Sequence, residues 1–222
     1  DVVHVAFGFT PFMGLAASYD ACEHLVGALV IPGGTWSSLM RIKMIKKLGV
    51  TVLMGTPTYL LHLAKVAQDN GIDPRTLGVR VISTGGEPGA MSIPNTGLRL
   101  KEAWGSKIFD FAGTQETQYM AWTCEEGVGH INEDLLYCEV LDPETNEPVK
   151  PGQSGKLVLT DLVGKSHPCI RFESGDIVNG IDTETSCKCG RTLSIFKGFS
   201  GRTGDIIKIG RASCRERVSE CV

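Results

Sequence analysis

Four short segments gather the residue types that handle a phosphorylated ligand. Ser83-Thr84-Gly85-Gly86-Glu87-Pro88 follows a β-branched run and precedes a helical one, so its glycines let backbone approach a flat ligand where side chains would obstruct. Phe111-Ala112-Gly113-Thr114-Gln115-Glu116-Thr117 offers hydroxyls and one carboxylate, a set suited to Mg²⁺ and phosphate oxygens. In Arg171-Phe172-Glu173-Ser174-Gly175-Asp176 the aspartate stands at a strand turn, where one carboxylate accepts bonds from two ribose hydroxyls. In Ser200-Gly201-Arg202-Thr203-Gly204-Asp205 the arginine can reach a phosphate and the glycines permit a hinge. Each segment also has a plainer reading. A Gly-Gly turn is more often an ordinary loop than a nucleotide site, and Glu116 equally suits the N-terminus of a helix.

A further constellation is built of soft ligands. Cys187-Lys188-Cys189-Gly190 brings two thiolates into one tight turn, and Cys124 with His130 forms a Cys-x5-His pair. Together these four residues have the composition of a closed tetrahedral Zn²⁺ site that ties the first part of the chain to the second. The alternative is a set of reduced thiols without metal. Cys22, Cys138 and Cys169 fall within strand or helix patterns and read as core thiols.

The elements that must position these segments alternate. The opening VVHVAFGF is β-branched and aromatic, and Ala16 to Leu29 reads as a helix with Cys22, Leu25, Val26 and Leu29 on one face. An amphipathic stretch spans Trp36 to Leu48, Val50 to Thr56 reads as a strand, and Pro57 opens a helix closed by Gly71. Val79 to Ser83 and Lys107 to Phe111 are strands flanking a helix that includes Leu98 to Trp104. This order predicts an α/β fold, a parallel sheet with flanking helices and ligand chemistry at the strand C-terminal ends. From about Glu133 the period changes to two: DLLYCEVLD, KLVLTDL, IRFESGDIVNG and LSIFKGF read as antiparallel strands joined by Pro/Gly-rich turns. The predicted organisation is an α/β part over 1–132, a smaller antiparallel β subdomain over 133–205 up to a hinge, and a truncated hinge with a non-native tail over 206–222. The final IGRASCRERVSECV lacks periodicity, and Ile209 to Val218 looks like translated sequencing adapter, so it enters no fold argument.

Composition removes several classes of partner. Across 222 residues, Lys+Arg 22 against Asp+Glu 25 leaves a formal charge of −3, with no polybasic footprint for nucleic acid or an anionic membrane. No run of about 18 apolar residues or signal-peptide pattern occurs, so the expected location is the cytoplasm. Eight cysteines in a chain of this length fit metal binding or burial better than a disulfide framework. A homo-oligomer is compatible with all of this.

Order and spacing carry more than any single segment. The series GGEP, AGTQE, FESGD and GRTGD resembles the adenylate-forming enzymes, most closely the phenylacetate:CoA ligase family. The same resemblance runs through Gly27 to Pro32 with Gly33-Gly34, Gly55-Thr56-Pro57-Thr58-Tyr59, Gly71 to Arg75, and Asp142-Pro143-Glu144-Thr145 ahead of Gly152 to Leu159, covering the chain up to Lys208. It implies that Gly85, Gly86, Glu87 and Pro88 line the adenine of ATP, and that Glu116 is the catalytic acid that helps to hold Mg²⁺. It likewise implies that Asp176 binds the ribose hydroxyls and that Arg202 lies near ribose and phosphate. Phe111, Ala112, Gly113, Thr114 and Gln115 complete the implied cofactor-binding set, with Ala112 where the family often has Tyr and Gln115 where it has Ser or Thr. Phe9 and Tyr59 are the candidates for the wall of the acyl pocket. The implied reaction joins a carboxylic acid, phenylacetate or another aryl acid, to AMP from ATP and then to coenzyme A, with structural Zn²⁺ in some relatives. The family's Ser/Thr/Gly-rich phosphate loop and its C-terminal lysine domain have no counterpart in the sequence, which predicts a truncated core inactive by itself. Two rival readings are a relative with another acceptor, like the coenzyme F390 synthetases, and a zinc-stabilised nucleotide-binding module without catalysis.

Overall fold

The structure is a computed structural model describing residues 1–7 and 13–203, with the backbone of 208–209 and 212–213. Strand and helix alternate through β1 (Val2–Val5), α1 (Met13–Asp20), β2 (Leu29–Pro32), α2 (Ser38–Leu48), β3 (Val52–Gly55), α3 (Pro57–Asp69), β4 (Val81–Thr84), α4 (Pro94–Trp104) and β5 (Lys107–Thr114). Helical crossovers bring successive strands back in the same direction, and the order β5-β4-β3-β1-β2 is parallel throughout. β6 (Gln118–Thr123) then pairs antiparallel with β5, and β7 (Gly129–Ile131) antiparallel with β6.

The period-two region divides between two sheets. β8 (Leu136–Leu141), β9 (Gly155–Asp161), β10 (Phe172–Val178) and β13 (Phe199–Arg202) form a four-stranded antiparallel sheet in the order β13-β10-β9-β8. β11 (Ile181–Asp182) and β12 (Ile195–Phe196) instead return to the first sheet, where Ile195 pairs with His130 and Phe196 with Gly129. The large sheet therefore has nine strands, β11-β12-β7-β6-β5-β4-β3-β1-β2. β14 (Lys208–Ile209) and β15 (Ala212–Ser213) pair as a separate ribbon.

Packing explains the element boundaries. Ile42 and Ile45 of α2, Leu60 and Leu63 of α3, and Leu100 and Trp104 of α4 bury their side chains on Leu53 and Ile82 of the central strands. Each such burial contributes about 1.5–3 kcal/mol, so the helices hold to the sheet through one apolar stripe apiece. Trp104 donates its indole N–H to the Leu60 carbonyl at 3.1 Å, which satisfies its one polar atom in the core. A second core joins the two sheets, with Met120, Ile131 and Phe196 from the large one against Leu136, Leu157, Leu159 and Val178 from the small one.

The stretch from Ala16 to Leu29 departs from the single helix its spacing predicts. α1 stops at Asp20, a π-turn spans Ala21–Leu25, and Gly27 takes a left-handed φ of 68° that ends helical geometry before β2 begins at Leu29. Leu25, Val26 and Leu29 are consequently exposed, and only Cys22 reaches the interior, with its Sγ 3.8 Å from Met54 Sδ.

The loop after β4 reaches across to the small sheet. Phe199 donates its backbone N–H to Ser92 Oγ at 3.0 Å, and a Cβ on Gly198 would stand 2.7 Å from the Met91 carbonyl oxygen and from Ser92 Cα. Gly198 also has a φ of 84°, so both space and backbone require glycine. Gly198→Ala is expected to cost roughly 2–4 kcal/mol in urea unfolding; an unchanged midpoint would show that the β12–β13 turn does not rest on this loop.

Candidate functional site

Four of the sequence-predicted segments meet at the edge where the parallel strands end. Phe7 follows β1, Thr56 follows β3, Gly85 and Gly86 follow β4, and Phe111 lies within β5. Neighbouring strand ends touch one another: a Cβ on Gly86 would meet Thr56 Cγ2 at 3.7 Å, and one on Gly85 would strike the Phe111 ring at 2.4 Å. The ring thus rests directly on the Gly85 backbone, in a space that any side chain at 85 would take. Tyr119 braces it edge-on at 5.2 Å and shares a 2.7 Å hydrogen bond with Ser18 Oγ. Ala112 alternates to the other side and is buried in the core between the sheets. Ala6, Phe7, Arg41, Thr56 and Tyr59 line a cavity of about 360 Å³ beside this turn. Tyr59 so occupies a ligand-accessible wall, its hydroxyl 3.1 Å from Ser38 Oγ, whereas Phe9 lies outside the described residues.

The remaining residues of the two glycine-bearing corners hold these loops in different ways. The Glu87 carboxylate accepts from Thr58 Oγ1 at 2.7 Å and from the Thr58 backbone N–H at 3.2 Å, satisfying a donor left open at the start of α3. Glu87 therefore ties the turn to α3, while Gly86 and Pro88 remain exposed. Glu116 does not start a helix. It stands exposed in the β5–β6 hairpin turn, where Thr114 Oγ1 accepts from the Thr117 backbone N–H at 3.0 Å and fixes the loop. Gly113 marks the register shift where β5 and β6 slip past each other, and Gln115 is exposed beside Glu116.

Asp176 and Arg202, 26 positions apart, meet as cross-strand partners on β10 and β13. Arg202 Nε lies 3.4 Å from Asp176 Oδ1, and Arg202 Nη2 donates to the Ser174 carbonyl at 2.8 Å. A carboxylate able to accept hydroxyl bonds thus sits beside a guanidinium able to meet an anion.

The Cys/His set also converges. The ligand atoms of Cys124, His130, Cys187 and Cys189 all lie within 4.8 Å of one another. Cys124 Sγ is 3.8 Å from Cys187 Sγ, and Cys189 Sγ is 3.5 Å from His130 Nε2. Tetrahedral ligands at ordinary Zn–S and Zn–N lengths would stand about 3.8 Å and about 3.6 Å apart, so the donor set fits that ion. His130 donates Nδ1–H to the Leu193 carbonyl at 3.2 Å, which leaves Nε2 as the lone-pair atom facing the cysteines. The Arg191 backbone N–H first, and its side chain after it, hold the Cys189 thiol down to about 6, favouring the thiolate that a metal requires. The cluster differs from its expected placement: Cys124 follows β6, His130 is on β7, and Cys187 and Cys189 lie between β11 and β12, so all four belong to the large sheet and its connections.

One residue escaped the reading of motifs. Asp110 on β5 is buried, and its Oδ1 accepts from Thr84 Oγ1 at 2.6 Å while Oδ2 accepts from the Met91 backbone N–H at 2.9 Å. Gly89 passes so close that a Cβ there would come within 2.3 Å of Oδ1. The carboxylate thus pins both ends of the Gly85–Met91 loop. Its signal was a lone acid inside the apolar run KIFDF, where a charge has no reason to sit unless something donates to it. Burial raises its pKa against the opposing hydrogen bonds from Thr84 and Met91. The folded state then holds this proton more tightly than the unfolded chain does, so Asp110 makes stability fall as pH rises from about 3.9 through the raised folded value. Asp110→Asn is expected to remove that fall, and Asp110→Ala to cost about 1–3 kcal/mol by stranding two donors. Denaturation across a pH series measures both; identical pH slopes for wild type and Asp110→Asn would contradict the assignment.

Comparison with known proteins fits this geometry. Residues 21–161 match the family model described as AMP-binding enzyme. The chain is 31% identical to phenylacetate-coenzyme A ligase of Pseudomonas putida over 94% of its length and 46% of the relative's, and 28% identical to that of Escherichia coli over the same share of the chain. It spans about half the length of the curated relatives it matches. Among solved structures, 2-hydroxyisobutyryl-CoA ligase in complex with 2-HIB-AMP and CoA superposes with a TM-score of 0.85 at 31% identity, covering 96% of this chain and 47% of that one. MatB from Rhodopseudomonas palustris, at 18% identity and a TM-score of 0.68, shares the fold. The sheet of parallel strands with its antiparallel extension, the smaller sheet packed on it and the matched residues have one common source: this chain belongs to the AMP-binding enzyme family.

Proposed function

We propose that the chain forms part of the nucleotide- and acid-binding core of an ATP-dependent acid:coenzyme A ligase, acting in the cytoplasm on phenylacetate or another aryl acid. In that reaction a carboxylate oxygen attacks the α-phosphorus of ATP and pyrophosphate leaves; the thiol of coenzyme A then attacks the acyl carbon and AMP leaves. The observation that carries the reading is the pairing of Asp176 with Arg202, since it joins a hydroxyl acceptor to an anion donor. Its link to the Gly85–Gly86 turn runs through the β12–β13 turn, which rests on Met91 and Ser92. The curated relatives support coenzyme A, rather than coenzyme F390, as acceptor.

Each residue has a role that its surroundings permit. The Gly85–Gly86 backbone and the Phe111 ring offer the adenine a flat seat, with Phe111 in place of an aromatic residue at 112. Asp176 accepts from the ribose hydroxyls, and Arg202 orients that carboxylate and faces phosphate oxygens. Glu116, exposed at the hairpin tip, would hold Mg²⁺, whose charge supports departure of pyrophosphate. Catalysis of the first step is then mainly positioning and charge neutralisation. Asp176→Ala is expected to weaken ATP binding to the chain by about tenfold in calorimetry, the loss of one charge-assisted pair of bonds. Undiminished binding would remove Asp176 from the site, and a full-length parent that exchanged no pyrophosphate with any aryl acid would remove the ligase reading.

The Cys124, His130, Cys187 and Cys189 set is read as a structural Zn²⁺ site, closed because all four positions of a tetrahedron are filled by protein. The purified chain is expected to carry one zinc per molecule by metal analysis and to lose it in Cys187→Ser and Cys189→Ser. Substoichiometric zinc in the wild type after expression with zinc supplied would leave reduced thiols as the correct account.

A further inference from the structure

Three thiolates and one neutral imidazole around a divalent cation leave the Cys124, His130, Cys187 and Cys189 centre with one negative charge. Cys124 and His130 are buried and the other two ligands half-buried, so water neutralises that charge only in part. A cation held beside the sulfurs would offset the remainder. Lys188 and Arg191 lie in the same loop. Lys188 is exposed, with no ion pair among the described residues.

Arg191 is held by Trp122, Glu125 and Cys189. Its guanidinium carbon lies 4.8 Å from the centre of the Trp122 ring, its Nη1 donates to Glu125 Oε2 at 3.2 Å, and the guanidinium donates also to the Cys189 sulfur. Each of these partners is tied to a ligand of the metal set. Trp122 of β6 pairs across the strands with His130, their rings 5.9 Å apart, Glu125 adjoins Cys124, and Cys189 is itself a ligand. Gly190 permits the approach: its φ of 80° turns the chain, with its N–H on the Cys187 carbonyl at 3.1 Å, and the next residue returns to the sulfur two positions back. Glu125 is exposed, so solvent screens its charge and its bond to Nη1 mainly orients the guanidinium. A planar fork can stack on an indole and bond two neighbours at once, which a single ammonium does poorly.

We propose that Arg191 is a positioning residue for the metal: its guanidinium balances the negative centre and donates to the Cys189 thiolate, and so sets how tightly zinc is retained. This inference rests on the structural Zn²⁺ reading above and adds to it a residue outside the four ligands. Without the guanidinium, the Cys189–metal bond is more readily lost to protons or to a competing chelator.

Competition for Zn²⁺ against a chromophoric chelator, on the whole chain at fixed pH, tests it. Arg191→Gln is expected to weaken zinc binding by about tenfold to a hundredfold, and Lys188→Gln, which removes the same charge from the same loop, by about threefold or less. Arg191→Lys keeps the charge without the fork and is expected to recover part of the loss. Co²⁺ in place of Zn²⁺ supplies a second readout: removing a hydrogen bond from a thiolate moves its sulfur-to-metal charge-transfer band to longer wavelength, in Arg191→Gln and Arg191→Lys but not in Lys188→Gln. Circular dichroism accompanies each variant; if Arg191→Gln fails to fold, the affinity and band of Arg191→Lys decide. Wild-type affinity with an unshifted band in the Arg191 variants would overturn the inference and leave the zinc reading standing. An equal loss in Lys188→Gln would overturn it too, by reducing the effect to the charge of the loop. A wild-type chain that takes no zinc from the chelator would remove the zinc reading, and this inference with it.

Discussion

The edge where the parallel strands end depends on one buried carboxylate. Asp110 draws the end of β4, through Thr84, and the far end of the following loop, through Met91, onto β5. Its own backbone N–H donates to Thr123 Oγ1 on β6 at 2.8 Å, so the same residue fastens the parallel half of the sheet to the antiparallel half. A loop of glycines has little intrinsic shape, and an acceptor with two oxygens at a fixed point supplies it. The cost is a charge held away from water, and it is offset by the two donors, Thr84 Oγ1 and the Met91 N–H, that converge on it.

From that anchor the rest of the edge follows by contact. With the loop fixed, Gly85 lies beneath Phe111, Gly86 lies against Thr56, and Glu87 reaches the first turn of α3. Met91 and Ser92 then carry the constraint to Gly198 and Phe199, and so to the strand that presents Arg202 to Asp176. Residues far apart in the chain are held in register by backbone contacts too close for any side chain. The geometry is preorganised in the sense that little has to move to present these groups.

Much of this was legible because periodicity and glycine placement are local signals. Alternating elements up to β5, Pro57 at the start of α3, and the turns at Gly85 and Glu116 read directly from residue type, whereas Asp176, expected at a strand turn, lies within β10 opposite Arg202 of β13. The Cys/His set was legible as composition, but its position was not: the return of β11 and β12 to the large sheet is a long-range pairing, decided by Phe196 packing on Ile131 and Met120. The expected helix from Ala16 to Leu29 failed for a local reason, since the left-handed backbone at Gly27 outweighs an apolar spacing that no neighbour covers. Asp110 and Arg191 were missed because their importance lies in partners gained after folding. No motif contains that condition.

The chain leaves the large sheet after β7 and re-enters it at β11, and everything between belongs to the smaller sheet. Cys124 and Cys187 face each other across that excursion, 63 positions apart. Closing a loop of this length by a covalent link is worth about 4 kcal/mol in lost freedom of the unfolded chain, and a chelated ion acts in the same sense. With the ion in place, the small sheet would assemble on a tether already drawn shut, and the two sheets would dock at a far higher effective concentration. The abundance of folded protein would then track the supply of metal in the medium.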